Sequence, residues 1–533
     1  MAINVLVAIG GTGSRVAEAY VYAASAGLLN NNTKTLVFVV DKDIDCGNTT
    51  RLIKTIDEYR EMRECTGLPL PEIERCEWCV EDAMQQLNPN VAKGGHVSFA
   101  DVARNPGTND ALLVDLMHSR EEQDFDLQKG FYGHPSLGAA LYGLLTETPV
   151  FQSAANTLVN QIRTELASAS GEVRTYFVGS MFGGTGASLL PNVARTLHED
   201  PKIGQNPNYR QAACLMLPYF KFQAPTNQQG APVNFATFDE KTATALDFYA
   251  KDPTLVSTDY KPRNNPAHAP AVFDEVYLFG RKPLEPTCPA YTLGGKDQVH
   301  TFTVVDLFAA LGGVEFFNGT TVQVPQGMPH LYSADMPTPC VNWPQVPNAN
   351  AQLRFEQMMR FCYAFLNVLY PMFVQPRREL ARLQFLKNMY GADGLLGSGP
   401  ARLPQDLDFG KEVQRIAPFC EKFMRFFADL HRCNTTVEPG SVDLFTSVLE
   451  LDHMKLLDPM DQLQPLSWFC ENYIRLRRDF KPDNILVGQR ATAVPDGASL
   501  HGALSKYRFD LNAHPGLTGI YRAVYEIMQV KVQ

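Results

Sequence analysis

The sequence predicts an α/β protein, in which a parallel sheet covered by helices on both faces is followed by a mostly helical C-terminal region. Three observations carry this. Continuously apolar runs such as INVLVAI (Ile3–Ile9) alternate with stretches of helical apolar spacing over the first part of the chain. Glycine-rich loops directly follow two of those runs, at Gly10 and at Gly183. Beyond a proline-rich stretch the chain turns to long, aromatic-rich amphipathic segments.

Taken in order, the strand at Ile3–Ile9 leads through a glycine loop into SRVAEAYVYAASAG, a helix that stops at Gly27, and TLVFVVD (Thr35–Asp41) is the next strand. GHPSLGAALYGLL and AANTLVNQIRTELA precede the strand RTYFVGS (Arg174–Ser180), its glycine loop and its helix. Then come the strand QAACLMLPYF (Gln211–Phe220), the helical NFATFDEKTATALDFYA, the strand DEVYLFG (Asp274–Gly280) and a long helix over DQVHTFTVVDLFAALGGVEFF. Strands separated by helices in this way pair in parallel, and ligands of such sheets sit at the carboxyl ends of the strands. Prolines at 325, 329, 337, 339, 344 and 347 argue against regular structure over most of Thr320–Ala351. The expected division is residues 1–300 and a central helix 301–320, a connector 321–351, and a helical region 352–533. Its helices are expected at LRFEQMMRFCYAFLNVLYPMF, KEVQRIAPFCEKFMRFFADLHRC and PLSWFCENYIRLRRDF.

The chain of 533 residues is too long for one ordinary core, and its 45% hydrophobic and 20% charged residues are those of a globular protein. A net charge of −10 argues against nucleic acid or an anionic membrane as partner. The longest basic run, RLRRDFK (Arg475–Lys481), fits a solvated helix face. Eleven cysteines without regular spacing suggest free thiols in a reducing compartment. CEWC at Cys76–Cys79 has no second pair, and with only Cys65 and His96 as spare ligands a metal there is disfavoured. No run approaches the roughly 18 apolar residues of a membrane span, and the start reads as a strand rather than a leader, so a cytoplasmic protein is expected.

The loop GGTGS places Gly10, Gly11, Thr12, Gly13, Ser14 and then Arg15 between a strand and a helix. Alone it fits a dinucleotide site, with Asp41 as ribose acceptor, although Val16 stands where a third glycine belongs; an NAD-dependent oxidoreductase is the remote reading. A second loop, Gly183, Gly184, Thr185, Gly186 and Ala187, has the same setting, and GFYGHPSLG supplies a third around Gly133, His134 and Pro135. Such loops let a bare main chain approach phosphates. No GxxxxGK[ST] occurs.

In order and in motifs, residues 2–320 resemble the tubulin/FtsZ family, and the chain looks like a divergent bacterial tubulin-like protein. The resemblance implies a Rossmann-like GTPase domain binding GTP/GDP with Mg2+. Gly183–Ala187 matches the loop that wraps the α- and β-phosphates, with Phe182 and Ser188 departing from the pattern. Gly133, His134 and Pro135 fall in the γ-phosphate loop, Asp43 on the magnesium side, and Gln223 in place of a glutamate that contacts ribose. Phe302 and Asp306 match a pair on the central helix that stacks on guanine and reads its edge; on one helix they share a face. The family assembles head-to-tail into filaments and hydrolyses GTP with an acidic loop from the next subunit. Here Asn318–Pro337 offers Asp335 alone, so weak or absent hydrolysis is expected, with Asp335 the one catalytic candidate. The second reading is a non-polymerising sensor or scaffold subunit that binds a protein partner through its helical region.

Overall fold

A computed structural model describes residues 2–43, 45–77, 97–103, 111–127, 130–131, 133–146, 149–168, 172–219, 237–256, 271–281, 294–319, 331–333, 346, 348–394, 397–435 and 500–528. They fall in two compact units, the first drawn from Met1–Tyr20, Asn32–Lys54 and Pro71–Pro337, the second from Val21–Asn31, Thr55–Leu70 and Thr338–Gln533.

The first unit is built on an all-parallel sheet of β1 (Ala2–Ile9), β2 (Thr33–Val40), β3 (Glu72–Glu77), β4 (Val173–Ser180), β5 (Tyr209–Met216), β6 (Glu275–Phe279) and β7 (Leu331–Ser333), in the order β3-β2-β1-β4-β5-β6-β7. Central β1 pairs on one side with β2, Ile9 opposite Val40, and on the other with β4, Ala8 opposite Val178. The direction of strand addition reverses there, which opens a crevice at their carboxyl ends. Ile3, Val5, Val7 and Ile9 of β1 enter one apolar layer, while Leu6 and Ala8, pointing the other way, are equally buried. That two-sided burial is why the run is apolar throughout rather than alternating.

In chain order the helices of this unit are α1 (Gly10–Ser25), α2 (Gly47–Thr66), the short α3 (Phe99–Ala103), α4 (Ala111–Met117) and α5 (Arg120–Gln123), then α6 (Pro135–Thr146), α7 (Pro149–Ser168), α8 (Gly184–Glu199), α9 (Phe238–Lys251) and α10 (Val304–Phe317); α1 and α2 finish in the second unit. Leu137, Leu141, Leu158, Leu189 and Val193 cover one face of the sheet. On the other, Tyr176 bonds the carbonyl of Ala309 at 3.0 Å, and Gly312 and Gly313 let α10 lie against Phe279 and Tyr176.

Three elements differ from expectation. β3 is the charged EIERCE, an edge strand whose Glu72 and Glu74 pair with Lys34 of β2. β7, Leu331–Ser333, forms inside the proline-rich stretch. The central helix begins only at Val304, because Thr303 and Asp306 close a capping box: Thr303 Oγ1 accepts from the Asp306 amide and the Asp306 carboxylate accepts from the Thr303 amide. Phe302 therefore precedes the helix, and the shared helical face expected for Phe302 and Asp306 does not exist.

In the second unit α11 (Ala351–Ala364) runs through a wider π turn, Phe365–Leu369, into α12 (Tyr370–Phe373), and α13 (Gln384–Tyr390), α14 (Phe409–Thr435), α15 (Leu500–Lys506) and α16 (Leu517–Ile527) follow. An aromatic core joins its separate stretches. Tyr22 stacks on Phe426 at 4.7 Å and meets Phe423 edge-on at 5.8 Å, and Tyr59 packs on Phe419. Lys422–Glu58 and Arg415–Glu61 pair nearby. The helix expected over 465–480, with its basic run, lies outside the described residues.

Candidate functional site

The three glycine loops meet at the carboxyl edge of β1 and β4. Gly10, at φ 70°, leaves β1 in the left-handed region, and a Cβ there would stand 3.2 Å from Thr185 Cβ of the second loop. Gly184 touches the third: its Cβ would lie 2.7 Å from Phe131 Cβ and 3.2 Å from the Gly133 nitrogen. Gly133 itself has φ 73°. Within these loops Gly11, Thr12, Gly133, His134, Pro135, Gly183, Thr185 and Ala187 keep partial exposure, so these line the surface, whereas Gly13, Ser14, Arg15, Gly184 and Gly186 are buried.

The buried glycines have packing duties. A Cβ on Gly13 would come 2.5 Å from the carbonyl oxygen of Val178, and one on Gly186 would come 2.5 Å from Ser180 nitrogen and oxygen. They let α1 and α8 lie against the strands. The sequence expectation that a bare main chain is needed there for phosphate is thus replaced, at these two positions, by close helix–strand contact. At the mouth of α8 the cap is Gly183, extended and making no side-chain cap bond to the first amides.

Asp41 and Asp43 lie side by side at the end of β2. Asp41 accepts from the Asp43 amide at 3.2 Å and from Thr49 Oγ1 at 3.4 Å, and Thr49 in turn bonds Ser14 at 3.0 Å. Burial, with the neighbouring Asp43 charge, pushes the Asp41 carboxyl up to about 7. Burial also raises Asp43, although its Oδ2 accepts the Gly295 amide at 2.6 Å. Among the described residues no group of three or more His, Cys, Asp or Glu side chains is arranged to hold a metal ion. One carboxylate with phosphate oxygens is the usual protein share of a Mg2+ site, and Asp43 fits that share.

The contact with Gly295 belongs to a feature the sequence did not announce. The segment Gly294–Phe302 docks on the start of α2: the Asn48 amide bonds Gln298 O at 3.0 Å, the His300 amide bonds Asn48 Oδ1 at 2.9 Å, and Arg51 donates to His300 O at 2.9 Å. Burial, with Arg15 and Arg51 close by, depresses His300 to about 3, which keeps it neutral. The Arg51 guanidinium covers a face of the Phe302 ring at 4.4 Å.

Beneath the first loop, Arg15, Tyr219 and Asp306 form a buried cluster. Asp306 Oδ1 accepts from Tyr219 at 2.8 Å and faces Arg15 at 3.5 Å; Oδ2 accepts the Thr303 amide at 2.9 Å and its hydroxyl at 3.1 Å. Four donors fill a carboxylate's acceptor positions, so a guanine edge would have to displace some of them. Gln223 and Asp335 lie outside the described residues, as does Cys79 of the CxxC. Cys76 is a free thiol of β3, pushed by burial up to about 11.

Two loop neighbours escaped the sequence reading. Lys241 of α9 donates to Gly133 O at 2.9 Å, and Glu122 holds His134 at 3.0 Å. Ser119-x-x-Glu122 is a capping box visible in the sequence. Lys241 had no such signal.

No helix of the described residues is long and apolar enough to cross a membrane. No protein-family model and no curated protein matches the sequence. Among solved structures the chain is similar to CetZ from Methanosaeta thermophila strain DSM 6194, at 12% identity and a TM-score of 0.25, over 61% of this chain. The chain spans 57% of the length of that structure, and the architecture stated here, a parallel α/β sheet with a helical second unit, rests on the strand order itself.

Proposed function

We propose that the first unit is a tubulin/FtsZ-like nucleotide-binding domain that takes GTP and GDP with Mg2+ between the glycine loops, and that the protein assembles head-to-tail into filaments. The observation that carries the reading is the convergence of Gly10 with Thr185 and of Gly184 with Gly133 at one strand-order reversal. Two glycine turns that each open a helix supply amide donors and positive helix ends to a polyphosphate, where a dinucleotide fingerprint uses one. Asp43 is the carboxylate on the metal side, and the partly exposed Gly11, Thr12, Gly183 and Thr185 are the phosphate contacts. A head-to-tail contact is heterologous, and where its rotation does not close it extends into a filament.

The test uses Gly183→Asp. An aspartate can cap the first amides of α8 while its charge occupies the phosphate position. Its Cβ would lie 2.6 Å from Ser180 Oγ, so that hydroxyl has to turn aside, and urea unfolding checks that the fold survives. Calorimetry should give nucleotide binding to the wild-type protein and a loss of at least about a hundredfold in the variant, some 2.7 kcal/mol. Affinity retained in Gly183→Asp counts against the site. Pelleting with GTP but not GDP supports filaments, and binding without pelleting favours the sensor reading.

A further inference from the structure

We propose that His134 is a catalytic residue supplied in cis, which, held by Glu122, orients the water that attacks the terminal phosphate of the bound nucleoside triphosphate. The inference rests on the nucleotide reading above and adds the reacting group. Nothing in the described residues requires a neighbouring subunit for it.

Glu122 and His134 form an oriented pair. His134 Nδ1 lies 3.0 Å from Glu122 Oε1, and Glu122 Oε2 accepts from the Ser119 amide at 2.9 Å and its hydroxyl at 3.1 Å. Both carboxylate oxygens are thereby fixed. Burial works against the ionised form, but the Ser119 donors and His134 outweigh it and hold the Glu122 carboxyl below its usual range. The carboxylate holds Nδ1, which leaves Nε2 as the ring nitrogen that can meet a water. The ring packs on Phe125 at 5.1 Å between centroids, and with 26% of the side chain exposed it remains reachable by water.

The position is as specific as the pairing. His134 follows Gly133, whose nitrogen approaches the first residue of α8, the helix end at which the reading above seats the phosphates. The turn is fixed by the His134 amide on Phe131 O at 2.7 Å and by Lys241 on Gly133 O at 2.9 Å. Nucleophile-activating pairs have this form, a base within reach of the reacting atom and a carboxylate that sets its tautomer. In the step, the water oxygen bonds to the γ-phosphorus and a water proton passes to His134 Nε2. The bond from phosphorus to the β,γ-bridging oxygen breaks with its electron pair leaving on GDP, and phosphate departs before the proton returns to solvent.

The experiment compares full-length wild type, His134→Ala and Glu122→Gln. Glutamine keeps the capping box but withdraws the charge from Nδ1. Three quantities are measured: affinity for GDP and for a slowly hydrolysed GTP analogue, single-turnover GTP hydrolysis at several protein concentrations, and the imidazole NMR signal of His134 in isotope-labelled protein. We expect His134→Ala to slow hydrolysis at least about a hundredfold and Glu122→Gln to slow it by less, in each case by far more than affinity for the triphosphate analogue falls, with both variants shown to be folded at the assay temperature. The wild-type rate per molecule stays constant with concentration, and the His134 signal moves with the triphosphate analogue but not with GDP. Wild-type hydrolysis no faster than buffer, a His134→Ala rate equal to wild type, or a signal indifferent to the third phosphate overturns the inference while leaving the nucleotide reading intact. Failure of either nucleotide to bind overturns both.

Discussion

Gly186 and Ser180 stand so close that a Cβ on the glycine would lie 2.5 Å from both the amide nitrogen and the carbonyl oxygen of the serine. The contact fixes how α8 leaves the end of β4, and the same closeness recurs between Gly13 and Val178 O on the other side of the crevice. The loops are thus held by their own packing before any ligand arrives.

Gly186→Ala and Gly13→Ala should therefore fail through stability. Each forces a helix off a strand, and overpacking of this kind costs about 1–3 kcal/mol or more. Urea unfolding is the measurement. A variant as stable as the wild type would show that the helix ends yield freely.

Asp306→Ala removes the acceptor of four donors and leaves Arg15 buried without its carboxylate. Breaking one side of a buried pair costs about 3–5 kcal/mol, so the unfolding midpoint should fall steeply. A mild loss of stability with relaxed choice between GTP and ATP would instead return Asp306 to the role of base reader.

Asp41 makes stability depend on pH in an unusual sense. Its folded carboxyl titrates near about 7, and on unfolding it returns to the ordinary carboxylate range near about 3.9. Between those values the folded state holds a proton that the unfolded state has released. Stability from this group is therefore present at low pH and lost as pH rises through the folded value, by the order of a few kcal/mol. Asp41→Asn should match the wild type near pH 4 and exceed it at pH 8. Equal stability of the two proteins at pH 8 would refute the assignment.

Phe423→Ala tests the second unit. Its ring is buried against Tyr22, Phe419 and Phe427. Deletion should cost about 3–5 kcal/mol and be visible in tyrosine fluorescence on denaturant titration. A loss under about 1 kcal/mol would show that the aromatic cluster contributes little.

Much of the sheet was legible because β1, β2, β4, β5 and β6 are largely buried and each carries a short apolar run, LVFVV in β2 and AACLM in β5 among them. β3 was not, since an edge strand made of Glu72, Glu74, Arg75 and Glu77 looks like a solvated segment. The three loops were visible as glycines, but a glycine that meets a strand and one that lines a surface are the same letter; Gly13 and Gly186 abut the main chain of Val178 and Ser180, whereas a Cβ on Gly11 or Gly183 would meet only side chains. Asp306 shows the same limit: Thr-x-x-Asp is a capping signature, and with Phe302 before it the same letters also match a base-binding pair. The partners of loop residues, Lys241 for Gly133 and Gln298 for Asn48, join positions far apart in sequence and could not be read from spacing.

The pairing of β1 with β4 joins residues 3–8 to 173–178. A chain emerging from the ribosome thus finishes its first glycine loop long before the strand that seats it exists, and neither crevice wall is complete until β4 docks. Closing so long a loop is entropically slow, and contacts of such separation retard folding. Fragments ending before residue 173 hold β1 with one side unpaired, an open apolar edge that invites association with other chains. The arrangement that places two glycine loops side by side leaves the unfinished first unit with an unpaired apolar edge until β4 has been made.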